Sequence, residues 1–158
     1  MTTLGHSSGK PLNLLPKWLM WGLIIVSFIG FLDASYLTAA HYAGFDLTCT
    51  ILKGCEEVTT SEYSVIFGVP VALLGVFYYL TVFLLSLIYF DTKNRFILKI
   101  IPPLTVAGLL ASAGFVYLQL FVIKAICEYC MLSAATSTTL FIFGIFVFKT
   151  TRNKLKIN

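Results

Sequence analysis

The sequence predicts an all-α integral membrane protein, a four-transmembrane-helix bundle with a cysteine-bearing extracytoplasmic loop. Of its 158 residues, 58% are hydrophobic and only 11% are charged, whereas a soluble domain of ordinary composition has about 25% charged residues. Four apolar stretches each approach or exceed the roughly 20 residues that a helix needs to cross a bilayer. Because hydrocarbon offers no partners to backbone N–H and C=O groups, stretches of this length must be helices.

The four predicted spans form one transmembrane domain between two tails. The first span is longer than the apolar core of a cleavable signal and contains Asp33, so we interpret it as a retained helix. Thr59 and Glu62 have the spacing of a capping box, which predicts a short helical segment leading into the second span. The predicted ranges are a cytoplasmic tail 1–17, a domain 18–149 with spans 18–42, 65–90, 96–123 and 127–148, an extracytoplasmic loop 43–64, and a basic cytoplasmic tail 150–158.

The distribution of basic residues predicts which ends of the helices face the cytoplasm. If the N-terminus is cytoplasmic, nine of the eleven lysines and arginines lie on that side, and only Lys53 and Lys124 lie on the other. Lys and Arg are enriched on the cytoplasmic side of membrane proteins. We therefore expect a multi-pass protein of the cell (inner) membrane with both termini in the cytoplasm. The net charge of +4 then serves to anchor helix ends at an anionic leaflet and does not indicate nucleic-acid binding.

All four cysteines are expected near the extracytoplasmic face, where disulfides form and persist. One pair is Cys127-Glu-Tyr-Cys130, at the start of the fourth span. Residues three apart share a helical face, so the two sulfurs can bond, and a helix N-terminus stabilises a thiolate through its free N–H groups and its dipole. Lys124 adds positive charge nearby, and Glu128 opposes it. The pair predicts thiol–disulfide exchange.

The second pair, Cys49 and Cys55, lies in the polar loop. A disulfide across so short a loop stabilises a fold only modestly, so we interpret this pair as a shuttle that passes electrons from a soluble partner to Cys127 and Cys130. Two other interpretations stay open. Four cysteines can form a zinc site, although Cys-x5-Cys is not a usual zinc spacing and no metal is expected. Two inert disulfides would instead make the chain a non-enzymatic four-helix membrane scaffold.

Small residues follow the Cys-x-x-Cys pair along one face of the fourth span. Cys130, Ala134 and Ser137 recur at helical spacing and leave room beside the sulfur for a flat ring such as that of a membrane quinone. Small residues on membrane helices more often serve helix packing. Ser64, before the second span, has two comparable interpretations, as a hydrogen-bonding group for the quinone or as a helix N-cap.

Two further residues within predicted spans need a physical explanation. A carboxylate at mid-membrane costs roughly 2.5–3.5 kcal/mol on insertion scales, so Asp33 must face protein or a polar cavity. A structural hydrogen bond for Asp33 is favoured over a role in proton delivery to the quinone. Pro70 removes one backbone donor and is expected to kink the second helix.

The motifs occur in a specific order along the chain. Asp33-Ala-Ser-Tyr-Leu-Thr38 lies in the first span, and the pair Cys49 and Cys55 follows it. Ser64 and Phe67-Gly-Val-Pro70 then open the second span, and Cys127-Glu-Tyr-Cys130 opens the fourth. This order resembles the vitamin K epoxide reductase family in its bacterial form, and the resemblance covers the four-helix core from about Trp18 to Phe148.

The resemblance implies a four-helix bundle around a quinone (menaquinone, ubiquinone or a related quinone), with Cys130 nearest the ring and Cys127 as its partner. It also implies that Cys49 exchanges with Cys127 and that Cys55 meets a partner protein. Bacterial relatives oxidise a periplasmic thioredoxin-fold protein. Because the chain ends soon after the fourth span, we expect that partner to be a separate protein. The implied function is that of a quinone-dependent thiol–disulfide oxidoreductase that supports disulfide bond formation.

Overall fold

The computed structural model describes residues 15–44 and 54–156, with side chains up to residue 153. Cys49 lies outside the described residues. The described elements are α1 (Lys17–Ala43), α2 (Cys55–Thr59), a 3-10 turn (Glu62–Ser64), β1 (Val65–Ile66), β2 (Val69–Pro70), α3 (Val71–Thr92), α4 (Arg95–Tyr117), a π-helical segment (Leu118–Ile123) and α5 (Glu128–Lys156).

Four of the described helical segments are long and apolar enough to cross a membrane. Large hydrophobic side chains such as Trp21, Phe77 and Leu110 point outward and are exposed, which is the arrangement expected where lipid replaces water around the bundle. The predicted four-helix membrane bundle is confirmed. The segments are Lys17–Ala43, Val71–Thr92, Arg95–Ile123 and Glu128–Asn153.

The bundle is held together around α1 and α5. Helix α1 packs against α3 and α5, and α4 packs against α5, while α3 and α4 touch each other less extensively. Tyr79 of α3 is buried, and its hydroxyl contacts the Ser133 carbonyl oxygen at 2.7 Å and the Thr136 and Ser137 hydroxyls at 2.9 Å. These contacts join α3 to α5, while Gly30 of α1 lies directly against the Tyr79 ring, where a Cβ would overlap it.

The second spanning helix begins at Val71 and not at residue 65 as predicted. Residues 65–66 pair antiparallel with residues 69–70, and the turn between them has φ 51° at Phe67 and 78° at Gly68. Positive φ at both central residues is typical of a tight hairpin turn and cannot be continued as a right-handed helix. Pro70 is the N-cap of α3. The predicted kink at Pro70 is therefore wrong, because the proline precedes the helix.

The predicted capping box at Thr59 and Glu62 is also wrong. Thr59 is the last residue of α2, and its hydroxyl donates back to the Cys55 carbonyl oxygen at 2.8 Å. Because Thr59 ends a helix and does not precede one, it cannot take the N-cap position, and the turn that contains Glu62 has Ser61 before it, with no side-chain capping bond. The chain instead forms the 3-10 turn at Glu62–Ser64 before the hairpin.

The third span changes its helical geometry before it ends. Helix α4 passes at Leu118 into the π-helical segment, and the segment stops at Lys124, which has left-handed backbone angles with φ 59°. A π-helical segment changes the direction in which its side chains point and often occurs at functional sites. Gln119 lies within it and is buried, with 2% of its surface exposed.

Candidate functional site

Cys127 and Cys130 lie at the N-terminus of α5. Both are free thiols, and Cys127 is fully buried. The Cys127 carbonyl accepts the first helical hydrogen bond, from Met131 N–H at 3.0 Å, so Cys127 occupies the N-cap position. The Cys130 N–H points back to the Cys127 sulfur at 3.5 Å, so a backbone donor that the helix leaves unpaired contacts the first thiol of the pair.

The Cys130 thiol, together with the N–H groups at the start of α5, lowers the pKa of Cys127, as expected of an exchange-active cysteine. A hydrogen bond from the Cys130 thiol is the largest effect, and the N–H groups of Tyr129 and Cys130 add to it. Burial and the charge of Asp33 act in the opposite direction, and the net result lowers the pKa of Cys127 to about 7. Near neutral pH a substantial fraction of Cys127 is therefore thiolate, the form that attacks disulfides.

Gln119 supports the Cys-x-x-Cys turn from the π-helical segment. Its side-chain Oε1 accepts a hydrogen bond from the Cys127 N–H at 3.2 Å. The opposite end of the same amide, Nε2, is buried and has no hydrogen-bond partner among the described residues. Gln119 was not predicted from the sequence, although a lone glutamine inside an apolar span is a signal of function, because polar side chains are costly in a bilayer.

The loop cysteine Cys55 packs beside the Cys-x-x-Cys pair. Cys55, Val58, Ala125 and Cys127 form one buried cluster, and Cys130 packs against its edge. Gly54 allows this close approach, because a Cβ at that position would lie 2.8 Å from the Ile126 backbone nitrogen. Cys55 is disulfide-bonded. The structure thus brings a loop disulfide and a helix dithiol to one end of the bundle.

A cavity of about 420 Å³ opens beside Cys130, between α1, α3, α4 and α5. The four residues predicted to line a quinone site, Ser64, Cys130, Ala134 and Ser137, lie in its wall. Cys127, which was predicted to exchange with the loop pair, does not. Ser64 is not a helix N-cap, because it ends the 3-10 turn and its hydroxyl donates to the Ser61 carbonyl at 2.7 Å. The rest of the wall is mostly apolar and includes Leu37, Leu74 and Phe115 among others.

Asp33 is buried in α1, and within the part of the chain that the structure describes neither carboxyl oxygen has a hydrogen-bond partner. The structural hydrogen bond favoured from the sequence is therefore wrong. The carboxyl group is close enough to Cys127 and Cys130 for its charge to act on both thiols. Within residues 15–44 and 54–153, no three His, Cys, Asp or Glu side chains are grouped as they would be around a metal ion.

Comparison of the sequence with known proteins shows the family to which the chain belongs. The chain is similar to the thiol-disulfide oxidoreductase LTO1 of Arabidopsis thaliana, with 36% identity over 125 residues that cover 72% of this chain and 32% of that protein. The chain thus spans about a third of the length of this relative. Residues 21–145 match the Vitamin K epoxide reductase family. Because this match runs from the first span into the fourth and includes the Cys127–Cys130 turn, the chain belongs to the Vitamin K epoxide reductase family.

Proposed function

We propose that the chain is a membrane thiol–disulfide oxidoreductase. It takes electrons from a thioredoxin-fold extracytoplasmic partner and passes them through Cys49 and Cys55, then Cys127 and Cys130, to a membrane quinone. The observation that carries this proposal is the buried cluster in which Cys55 packs with Cys127. Disulfide exchange needs sulfurs that can meet, and this packing keeps Cys55 beside the helix pair.

The residues around the cavity fit a quinone ring. The volume of about 420 Å³ lies within the range of roughly 300–1,000 Å³ that is usual for small-molecule sites. The mostly apolar walls suit a ring carried on a lipid tail, and Cys130, Ala134 and Ser137 form one side of it. Buried donors without partners also lie in the wall, at Gln119 and Tyr78. When bound there, a quinone would accept two electrons and two protons.

The cysteines carry the electrons in pairs. A reduced partner exchanges with the loop disulfide, which releases the oxidised partner and leaves a loop dithiol. The loop dithiol then reduces the Cys127–Cys130 disulfide and is itself reoxidised. Cys127 and Cys130 next lose two electrons and two protons as their disulfide reforms beside the cavity.

The loop sulfur that meets Cys127 is a separate part of the proposal. The family resemblance implies Cys49, which lies outside the described residues, whereas the cluster around Cys127 contains Cys55. In a Cys130→Ala variant, Cys127 has no partner with which to resolve, so its mixed disulfide with the loop should accumulate. Peptide mapping under non-reducing conditions would identify whether Cys49 or Cys55 is joined to Cys127.

Purified protein with a reduced thioredoxin-fold partner and quinone tests the function directly. We expect quinone reduction, followed by its absorbance, to require Cys130. The Cys130→Ala variant should lose essentially all turnover, whereas Met131→Leu, a change at the adjacent and more exposed residue, should keep it. Unchanged turnover in Cys130→Ala, or no quinone reduction by the wild-type protein, would contradict the proposal. A scaffold with two structural disulfides predicts instead that neither the wild-type protein nor Cys130→Ala reduces quinone.

A further inference from the structure

The orientation of the Gln119 amide is fixed by its contact with Cys127. The Cys127 N–H can only donate, so the atom that it contacts at 3.2 Å must be the Gln119 oxygen. The Gln119 Nε2 group therefore faces away from the Cys-x-x-Cys turn. Gln119 also lines the cavity beside Cys130, and only 2% of its surface is exposed. An amide donor is thus held at the cavity wall by the same turn that holds the reactive sulfurs.

Tyr78 presents a second donor to the same cavity. Its ring packs on Gly108, where a Cβ would overlap it, so the position of the ring is restricted. The Tyr78 hydroxyl lies near Ser137 but has no partner with hydrogen-bonding geometry. The Ser137 hydroxyl is instead bonded to Tyr79, at 2.9 Å. Among the buried polar atoms described without a partner, those in the cavity wall are Tyr78 Oη and Gln119 Nε2.

Two other hydroxyls in the cavity wall already use their hydrogens. Ser64 donates to the Ser61 carbonyl at 2.7 Å, and Thr59 donates to the Cys55 carbonyl at 2.8 Å. A buried donor left without an acceptor costs about 1–3 kcal/mol, so native proteins rarely retain one without a ligand or another partner to satisfy it. The free donors of Gln119 and Tyr78 therefore indicate a ligand with acceptor atoms at two places on an apolar body.

We propose that Gln119 Nε2 and Tyr78 Oη donate hydrogen bonds to the two carbonyl oxygens of the bound quinone. The inference rests on the proposed function and adds to it the residues that recognise the ring. Negative charge develops on quinone oxygens during reduction, and donors that point at developing charge stabilise it. Because Gln119 also contacts the Cys127 backbone, it orients one carbonyl relative to the dithiol.

A binding measurement with two probes tests this assignment without any turnover. Menadione has two ring carbonyls, and 2-methylnaphthalene has the same ring skeleton without them. We expect Tyr78→Phe and Gln119→Met each to weaken menadione binding about tenfold, the effect of losing one hydrogen bond worth roughly 1.4 kcal/mol. Binding of 2-methylnaphthalene should change little. Phe77→Leu and Leu120→Met alter exposed neighbours of the two donors and should leave both Kd values unchanged.

Gln119→Glu separates the two contacts of the amide. A glutamate keeps an oxygen that accepts from Cys127 N–H, but an ionised carboxylate has no donor for a carbonyl. At alkaline pH, we expect Gln119→Glu to bind menadione no more tightly than Gln119→Met does. If Gln119 serves only to position Cys127, Gln119→Glu should instead bind menadione as the wild-type protein does.

Thermal unfolding of the ligand-free protein distinguishes a ligand donor from a structural group. Removing an unpartnered hydroxyl costs no hydrogen bond, so Tyr78→Phe should unfold at or above the wild-type temperature, and menadione should raise its Tm less than it raises that of the wild-type protein. A lower Tm without ligand, or menadione affinity equal to wild type in both donor variants, would overturn the inference. If the wild-type protein neither binds nor reduces menadione or decylubiquinone, both the proposed function and this assignment are wrong. If the wild-type protein binds quinone and both donor variants bind it equally well, only the assignment of the two donors is wrong.

Discussion

At the scale of single residues, the reactivity of the site depends on where Cys127 sits. Its sulfur contacts the Cys130 N–H and is flanked by the Cys130 thiol, so hydrogen bonds at the helix N-terminus outweigh the cost of burying a thiolate. Cys130 lies one turn into α5, in the cavity wall. The two thiols therefore have different surroundings, and the more acidic one faces the loop cluster that contains Cys55.

This difference predicts a specific pH dependence. Because the pKa of Cys127 is lowered from 9.0 to about 7, its thiolate should be half-formed near neutral pH and should increase as pH rises. The hydrogen bond from Cys130 is the largest cause, so the Cys130→Ala variant should shift the midpoint toward higher pH. The ultraviolet absorbance of the thiolate, with Cys127→Ser as the blank, measures the midpoint. An unchanged midpoint in Cys130→Ala would contradict this account.

Several site residues were predictable from the sequence because their chemistry is local. The spacing of Cys127 and Cys130 indicates exchange chemistry without knowledge of the fold, and helical periodicity places Ala134 and Ser137 beside them. Gln119 and Tyr78 were missed because their significance depends on partners from other elements. The sequence cannot reveal that the Gln119 oxygen meets Cys127 or that the Tyr78 hydroxyl lacks a partner, since both facts arise from packing.

At the scale of elements, Tyr79 is the main polar link between α3 and α5. Its hydroxyl contacts Ser133, Thr136 and Ser137 at distances of 2.7 to 3.0 Å. Tyr79→Phe would leave buried polar groups with fewer partners and should lower the free energy of unfolding by about 1–3 kcal/mol. Tyr117→Phe, at an exposed position, is the matched control. Denaturation in detergent measures both, and equal stability of the two variants would show that the link is dispensable.

The contact between α1 and α3 leads to a second prediction at this scale. A Cβ at Gly30 would overlap the Tyr79 ring, whereas a Cβ at Gly114 would meet nothing within 4 Å. Overpacking a buried contact costs about 1–3 kcal/mol, so Gly30→Ala should destabilise the bundle. Gly114→Ala should be neutral or stabilising, because alanine is the better helix former. Thermal unfolding in detergent compares the two, and equal effects would contradict the close approach of α1 and α3.

The start of the second span shows why element boundaries were harder to predict than the spans themselves. Residues 65–70 are apolar apart from Gly68, and their hydrophobicity predicts that they belong to a spanning helix. In the structure they form a hairpin, because Phe67 and Gly68 both take positive φ and Pro70 precedes α3. Hydrophobicity indicates which segments enter the bilayer, but it does not distinguish an apolar hairpin at the interface from the first turns of a helix.

At the scale of the whole molecule, the fold brings separate segments of the chain to one end of the bundle. The α2 segment, the hairpin and Cys130 contribute to the cavity wall. Cys55 packs with Cys127 beside it, and Lys124 lies in the same connection as Cys127. Electron transfer between the loop pair and the helix pair requires only that both pairs lie at the same end of the bundle. Transfer from a soluble partner also requires that this end face the extracytoplasmic side.

Topology labelling tests that orientation. Nine of the eleven lysines and arginines lie in the two tails, in the connection between the second and third spans, or in the helix ends next to them, which should hold that side in the cytoplasm. In a chain whose native cysteines are replaced by serine, a cysteine at Glu57 or Lys124 should react with a membrane-impermeant maleimide in intact cells. A cysteine at Asn94 should react only after the membrane is permeabilised. The reverse pattern would place Cys55 and Cys127 in the cytoplasm, where reducing conditions would deny the proposed relay its extracytoplasmic partner. Labelling of Glu57 and Lys124 from opposite sides would contradict the four-span arrangement itself, because the two connections lie at the same end of the bundle.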